Sequence, residues 1–500
     1  AYFQALTHGQ FPVRWAADLN FGFGMPLFIF MYPLPYFLSS FFLFLGAGLV
    51  VTFKLVVILS FIFSGIFMFW LAKELFKNEK IALMVTIFYQ FAPFRLVEAN
   101  VRGDIGEIYT YAFLPLVLWG ILKKNFFLTS IVSALLILSH NSISLTFFAI
   151  SFGFAVFFSK DKRSLFLNLL ALFFGLALSA FYWFPALFEH RFTNGDLFMK
   201  NTYQEYFTPL SKLFLPNFFN SPSLNMIDVP VQIGIFHVLT IFLSFWLLIK
   251  SRSKILFFFL LVFMVALFFT QPVSQVFWQN LSYLRQFQFP WRFLAVMVFV
   301  TAVCSGVVFS SFKVFKSNLF TAVLLFLVII STIVYWKTPF GYDQIKESDY
   351  WHYSLTTTYY GETDTVWVEH PASSYPKERV EIIGGEGKIS NLKVNDLSHR
   401  FSVTAKTPVH LIDNTTYFPG WRVFDKQSFS SNKQSFSSNN GKEIPIEFQD
   451  QNYRGLITFN LSAGEHQIEV KYTKTKDRII GEITSFAALI LLILLQIFIF

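Results

Sequence analysis

The 500-residue sequence predicts a polytopic α-helical membrane protein that carries an all-β domain on its extracytoplasmic side. Three observations predict it. Apolar residues make up 54% of the chain, mean hydropathy is +0.53, and the apolar runs approach membrane-span length. Lys and Arg gather in short turns between those runs. From Lys337 to about Asp477 the pattern changes to charged, alternating segments of the kind that form strands.

Spans are expected at roughly 49–72, 80–95, 107–122, 126–139, 143–159, 164–184, 233–250, 254–270, 292–312, 318–336 and 479–500, about eleven helices. Phenylalanine supplies 70 residues, and in lipid it serves as well as leucine. The net charge of +9 raises nucleic acid as a partner, but its distribution argues for none. Lys73, Lys77, Lys80, Lys123, Lys124, Lys160, Lys162, Arg163, Lys250, Arg252, Lys254, Lys313 and Lys316 face only Glu74, Glu79 and Asp161 in their turns. With Ala1 outside, all these turns fall on one side, which the positive-inside rule makes cytoplasmic. The single cysteine, Cys304, rules out an intrachain disulfide and a thiolate metal cluster. No cleavable signal peptide is visible. The chain begins in a loop without Met and stops within an apolar run at Phe500, so a fragment lacking at least one helix before Ala1 is expected.

Helix lengths point to a sunken polar region. The apolar run Phe126 to Phe158 is too long for one span, and one span would put Lys160, Lys162 and Arg163 outside. Two short helices with a vertex at Ser139-His140-Asn141 remove the conflict. Each would rise about 22 Å against a hydrocarbon core about 30 Å thick. The stretches 80–95, which ends at Ala92-Pro93, and 107–122 are short in the same way. Their connection carries Arg95, Glu98, Arg102, Asp104 and Glu107. Charge on irregular backbone at membrane depth is tolerated only inside protein or beside a wet cavity. A polar cavity open to the outside is therefore expected, covered by the loop 8–37.

The resulting division is a membrane domain over 1–336, with outer loops 8–37, 93–107, 185–232 and 271–291, then a β-sandwich-like domain over 337–478 and a last membrane helix over 479–500. In the β domain, KQSFSSN occurs at 426–432 and again at 433–439, a duplication suited to an exposed hairpin loop.

Several residues are candidates for chemistry, each beside a plainer role. Asp18 sits with Arg14, Trp15 and Asn20 in a loop too polar to span and too apolar to be freely exposed. It fits a general base or a metal ligand, and equally an N-cap or a partner of Arg14. Arg14, Trp15 and Asn20 are its candidate substrate-binding companions. Asp104 and Glu107 supply a second acid, Glu98 lies beside them, and Arg102 fits a phosphate clamp. The plainer reading is local pairing of Arg95 with Glu98 and of Asp104 with Glu107. His140 at its vertex is a ligand or a satisfied structural group. Arg292, and less so Arg285, fits a lipid-phosphate clamp or an interface anchor. Trp351, Tyr359, Tyr360, Trp367 and Trp421 form a sugar-stacking surface or a β-domain core. GGEGK at 384–388 lacks the spacing of a phosphate-binding loop, and no zinc-protease, nucleophile-elbow or dinucleotide motif occurs.

The segments GQFPVRWAADLNFGFGMPLF, VRGDIGE, LSHN, SAFYWFPAL, QFPWRFL, YFPGW and AGEHQIEVKY together resemble the YfhO-like branch of the GT-C glycosyltransferase class. Some relatives carry the label "6-pyruvoyl-tetrahydropterin synthase-related", although nothing in the chain resembles that soluble enzyme. The resemblance covers nearly the whole chain. It implies a many-helix membrane fold, a catalytic acid in the first outer loop, and a polyprenyl-phosphate or -diphosphate sugar donor. Asp18 matches the position of that acid. The class often shows two adjacent acids there, whereas Ala16, Ala17 and Leu19 flank Asp18, so Asp104 or Glu107 would be the second acid. A divalent metal, Mg²⁺ or Mn²⁺, is the one cofactor to consider, with Asp18 as its candidate ligand. The implied function is transfer of a sugar from the lipid-linked donor to a glycan, lipid or protein acceptor outside the cytoplasmic membrane. A flippase for lipid-linked glycans and a non-catalytic scaffold of envelope assembly are the alternatives.

Overall fold

The computed structural model describes residues 1–215, 231–336, 346–348, 361–369, 372–426 and 441–498. It divides into two compact units. One comprises Tyr32–Ser179, Met199–Glu347 and Thr484–Phe500, and the other Ala1–Met31, Ala180–Phe198 and Ser348–Ile483. Trp351, Tyr359, Tyr360 and nearly all of the KQSFSSN repeat lie outside the described residues.

The first unit is helical, and its surface is inverted relative to a water-soluble protein. In the helix Leu49–Phe76 the residues Thr52, Val56, Ser60, Ser64 and Met68 are buried, four apart, on one stripe. The opposite faces expose Phe53, Ile58, Ile62 and Ile66. Small and hydroxylated residues inward with large apolar ones outward is the arrangement lipid selects, because close backbone packing replaces the hydrophobic drive between helices. The hydroxyls of Ser60 and Ser64 are returned to carbonyls of their own helix, so their burial leaves no donor unmet. At the centre lie Ile105–Lys123 and Leu294–Ser311, buried along nearly their whole length.

A helix occupies each of the eleven stretches expected to span. Among the described residues, five helices are long and apolar enough to cross a membrane, and up to eight spans result if each of three broken helix pairs counts as one. Phe126–Ser139, Ser142–Phe158 and Ile235–Ser251 are shorter apolar helices, as is Pro33–Phe44. Three local differences from the sequence reading have backbone causes. Pro33 starts the helix Pro33–Phe44 inside the expected loop 8–37, since proline's fixed φ suits the first helical position. The stretch 164–184 breaks after Leu178. The connection after Gln90 is not irregular: it resumes as Pro93–Val97 and continues as a π-helical turn, Glu98–Arg102. The two pieces Glu79–Gln90 and Pro93–Arg102 bend by 51°.

The basic turns lie together at one end of this unit. Lys80 Nζ donates to the carbonyl of Lys316 at 3.1 Å and to Asn318 Oδ1 at 2.9 Å. Lys123 pairs with Glu74 at 2.6 Å and Lys124 with Asp161 at 3.4 Å. Lys254 lies over the Phe158 ring at 5.5 Å, and Lys250 over Trp246 at 3.9 Å, whose own ring stacks on Phe312. Three of the turns share one construction. Lys77, Lys124 and Arg252 end their helices in the left-handed conformation, and Asn78, Asn125 and Ser253 then cap the next helix with a side-chain oxygen. From Lys123 at this end, the helix Ile105–Lys123 rises about 28 Å to Asp104 at the other.

The second unit holds two antiparallel sheets that share one core. The strands are β1 Val380–Gly384, β2 Gly387–Asn395, β3 Ser398–Ala405, β4 Val409–Thr416, β5 Trp421–Asp425, β6 Lys442–Ile444, β7 Leu456–Leu461 and β8 Gly464–Tyr472. Their orders are β1-β4-β7 and β2-β3-β8-β5-β6. Alternation places Phe401, Val403, Val423, Ile468 and Val470 of one sheet against Leu411, Ile457 and Phe459 of the other. The alternating segment VWVEH at 366–370 forms no strand over its described residues, and an isolated bridge falls at Thr365, just before it, with Thr193. Trp15 joins this core, packed on Trp421 and Tyr472 at ring distances of 5.4 and 5.2 Å. The chain around it closes through an Ala16–Met25 bridge, and Phe23 accepts a backbone bond from Thr416.

Gly24 makes that closure possible. Its φ is +75°, and an added Cβ would lie 2.6 Å from Trp15 Nε1. Gly24→Ala should expel the indole from the core and lower the unfolding midpoint of this unit. Trp15 emission, isolated by comparing the variant with Trp15→Phe, reads the change. An unaltered midpoint and spectrum would show that the packing argument is mistaken.

Candidate functional site

Six charged or titratable side chains converge at the end of the helical unit away from the basic turns. The π-helical turn supplies Glu98 and Arg102 four residues apart on one face, and such turns recur at functional sites. Gly103, at φ +64°, reverses the chain. Asp104 then caps the next helix, its Oδ1 accepting from the amides of Gly106 at 3.0 Å and Glu107 at 3.1 Å and from the Tyr32 hydroxyl at 3.0 Å. Glu107, one turn in, is fully buried. Arg102 Nη1 donates to its Oε2 at 2.8 Å and also to Glu98, while Arg292 Nε donates to its Oε1 at 2.6 Å. Arg292 is held in turn by the Phe287 carbonyl and Gln288 Oε1. Arg102 lies over the Trp291 ring, 4.6 Å from its centroid.

His140 completes the group. Its Nδ1 accepts from the amides of Ser142 and Ile143, both at 3.3 Å, which leaves the ring proton on Nε2. That nitrogen faces Asp104 Oδ2 and Glu107 Oε1, each at 3.6 Å. The helices that bring His140 here meet at Ser139 and Asn141. Gly106 allows the approach, since a Cβ there would lie 2.4 Å from the Tyr32 ring.

The carboxylates are not equivalent. Both Glu107 oxygens are taken by guanidiniums, and Glu98 is sealed. Asp104 keeps 15% of its side chain exposed, and its Oδ2 has only distant neighbours, Arg102 Nη2 and His140 Nε2, both at 3.6 Å. It is the acid free to meet a ligand. Arg95 does not pair with Glu98 as its spacing suggested. Its guanidinium lies between the Phe61, Tyr89 and Tyr111 rings at 4.6, 4.9 and 4.9 Å and donates to Ser64.

Asp104, Glu107 and His140 place one donor atom each within 4.8 Å of one another, but the set suits a divalent ion poorly. Two guanidiniums already neutralise Glu107, and His140 turns a protonated nitrogen inward. His410, Glu447 and Asp450 form a similar group on the β unit. Among the described residues, Asp18 belongs to neither set.

The residues around Asp18 belong to the other unit. Arg14 does not pair with it: its Nη2 donates to the Phe181 carbonyl at 2.5 Å and lies 3.8 Å from Glu482. Burial, and then the nearby Arg478, push the Arg14 guanidinium below its usual pKa, against Glu482 and Glu189. Trp15 is core, and Asn20 is buried with its amide on Thr416 Oγ1 at 3.3 Å. Asp18 lines a cavity of about 100 Å³ together with Arg379, Asp396 and His399. Arg285 serves structure, donating to the Trp278 and Gln279 carbonyls. Trp421 is core, and Trp367 packs on Tyr417 and Phe448. Tyr32 and Gln288, which sequence reasoning passed over as site residues, lie in aromatic and apolar runs where a single polar atom carries no periodic signal.

A family model described as "6-pyruvoyl-tetrahydropterin synthase related domain; membrane protein" matches residues 28–339. The chain belongs to this family. The match takes in the whole ionic cluster of the helical unit, from Tyr32 to Arg292. No curated protein and no solved structure matches the chain.

Removing one partner from a buried ion network typically costs about 3–5 kcal/mol, because the other charge is left unpaired. Arg292→Gln should therefore destabilise the helical unit by roughly that amount, with Glu107→Gln similar and the double variant less than additive. Chemical unfolding in detergent reads this, and strictly additive losses would mean that the two residues are not coupled.

Proposed function

We propose that this family member is a membrane glycosyltransferase of the GT-C type, moving a sugar from a polyprenyl-phosphate or -diphosphate carrier to an extracytoplasmic acceptor. The observation that carries the reading is Asp104: a carboxylate with one accessible oxygen, held by an N-cap and a tyrosine hydroxyl beside two guanidiniums. Such a group can orient or deprotonate an acceptor hydroxyl, and fixed charges away from water act strongly on developing charge. Its distance from the basic turns supports an extracytoplasmic placement, the side to which the positive-inside rule assigns the opposite end. The eleven-span count and an extracytoplasmic β domain belong to the same reading.

Arg102 and Arg292 are committed to carboxylates, so their role here is to hold Glu107 and Asp104 in place. The exposed edge of Arg102 is the one left to meet a carrier phosphate. His140 Nε2–H faces the same carboxylates and is assigned to orienting Asp104. Asp18, the acid at the class position, belongs to the other unit and is assigned a contact with the acceptor. No step is routed through a metal, given the donor set at Asp104.

The broken helix pairs also suit passage of a lipid-linked glycan, and one experiment separates the readings. Purified protein is incubated in detergent with labelled polyprenyl-phosphate sugars and with cell-envelope acceptors. A transferase moves label, and Asp104→Asn should lose about 10²–10⁴-fold in rate while still binding the donor. A flippase or a scaffold moves none. Transfer by Asp104→Asn at the unmodified rate would remove Asp104 from the chemistry.

A further inference from the structure

The β unit contains a polarised histidine that the ionic cluster does not involve. His399 is on β3 and Asp413 on β4, both buried at inward positions where alternation otherwise supplies Phe401, Val403 and Leu411. His399 Nδ1 meets Asp413 Oδ2 at 2.6 Å. Thr415 Oγ1 donates to the other oxygen at 2.6 Å and accepts from Arg379 Nη1 at 3.3 Å. Arg379 also donates to the Asn414 carbonyl at 2.7 Å. This chain of donors runs one way, from Arg379 through Thr415 to Asp413, and leaves Asp413 only accepting. The neutral form of His399 then carries its proton on Nδ1, which makes Nε2 its accepting nitrogen, and the residue lines the cavity.

Asp18 lines the same cavity, with the Ala1 ammonium acting on it electrostatically. Asp396, also on its wall, is turned toward His8 Nδ1 at 2.9 Å and Gln10 Nε2 at 3.3 Å. The adjoining turn is held in the left-handed region at Asn20, Phe21, Gly22 and Gly24, a conformation that costs energy at Phe21 and collects at ligand clamps. The cavity, about 100 Å³, has the volume of about three waters. It admits one edge of a sugar ring, not a whole glycan.

We propose that this cavity binds hydroxyl groups of an acceptor glycan, with Asp18 and His399 Nε2 as the accepting atoms and Asp413 and Thr415 as positioning residues. Two carboxylates disfavour an anionic ligand, and the Arg379 guanidinium disfavours a cationic one. A neutral polyol can donate to the carboxylate and imidazole and accept from the guanidinium. The inference rests on the transferase reading and narrows its acceptor to a carbohydrate.

The test uses the full chain in detergent and saturation-transfer NMR. The probes are free glucose, galactose, mannose, rhamnose and N-acetylglucosamine, with ethanolamine and inorganic phosphate as charged controls. At least one saccharide should bind, and Asp18→Asn and His399→Phe should each weaken it about tenfold or more. An unchanged unfolding midpoint checks the fold of His399→Phe, and Asp18→Asn decides alone if that variant unfolds. The proposal is overturned if no saccharide binds, if ethanolamine or phosphate binds in preference, or if Asp18→Asn binds sugar as the unmodified chain does. Failure of sugar binding alongside intact transfer sinks this inference alone, whereas mutation-sensitive sugar binding without any transfer sinks the transferase reading alone.

Discussion

Glu107 is the residue on which the helical unit's polar end depends. It is fully buried at the start of a central helix, and both its oxygens are claimed by guanidiniums, one from Arg102 in the turn just before it and one from Arg292, far along the chain. Removing a carboxylate from water costs several kcal/mol before any return. That cost is met only because Arg102 and Arg292 each donate to one of its oxygens and are themselves braced, by Trp291 on one side and by Gln288 and the Phe287 carbonyl on the other. The cluster sets three carboxyl groups beside two guanidiniums, and of the three it is Asp104 that keeps contact with solvent. Glu107 fixes the geometry, and the chemistry is left to its less buried neighbour.

The same economy explains the backbone around it. An uninterrupted helix from Glu79 onward could not present Glu98 and Arg102 together with Asp104 and then start again. The bend before Pro93, the wider π-helical turn and the left-handed Gly103 perform that change of direction in about ten residues. Each irregular backbone group would be costly in lipid. Here the exposed amides of the next helix are satisfied by Asp104 itself, so one side chain serves as cap, as partner of Tyr32 and as the accessible acid.

Much of this was legible in the chain. Hydropathy located the helices, the basic turns gathered at one end as their charge pattern required, and strand alternation found most of the β unit. The vertex at His140 followed from a length conflict. What escaped had physical causes. Arg95 sits three residues from Glu98, yet the bend turns it into an aromatic cage, and i,i+3 spacing says nothing about a bend. Arg14 lies four residues before Asp18, but its partners, Phe181 and Glu482, are far away in sequence. The sequence singled out Glu98, Arg102, Asp104, Glu107, His140 and Arg292, which the structure brings together, while telling their parts in the cluster apart needed distances, since pairing and exposure separate Asp104 from Glu107. His399 could have been noticed: a histidine in an otherwise apolar inward row of a strand breaks the period-two pattern, and so does Asp413 on the neighbouring β4.

The contrast between His140 and His399 shows how little composition says about function. Both are buried histidines with carboxylates nearby. His140 accepts two backbone amides at Nδ1, so its remaining nitrogen is a donor directed at acids, a geometry that orients a carboxylate. His399 donates its Nδ1 proton to Asp413, so the accepting nitrogen of its neutral form is Nε2, on a residue that lines a cavity, a geometry suited to receiving a hydroxyl. The same side chain is made a donor in one unit and an acceptor in the other by what holds the opposite side of the ring. In one case that is a pair of amides at a helix start, and in the other a buried aspartate that accepts from Thr415, which itself accepts from Arg379.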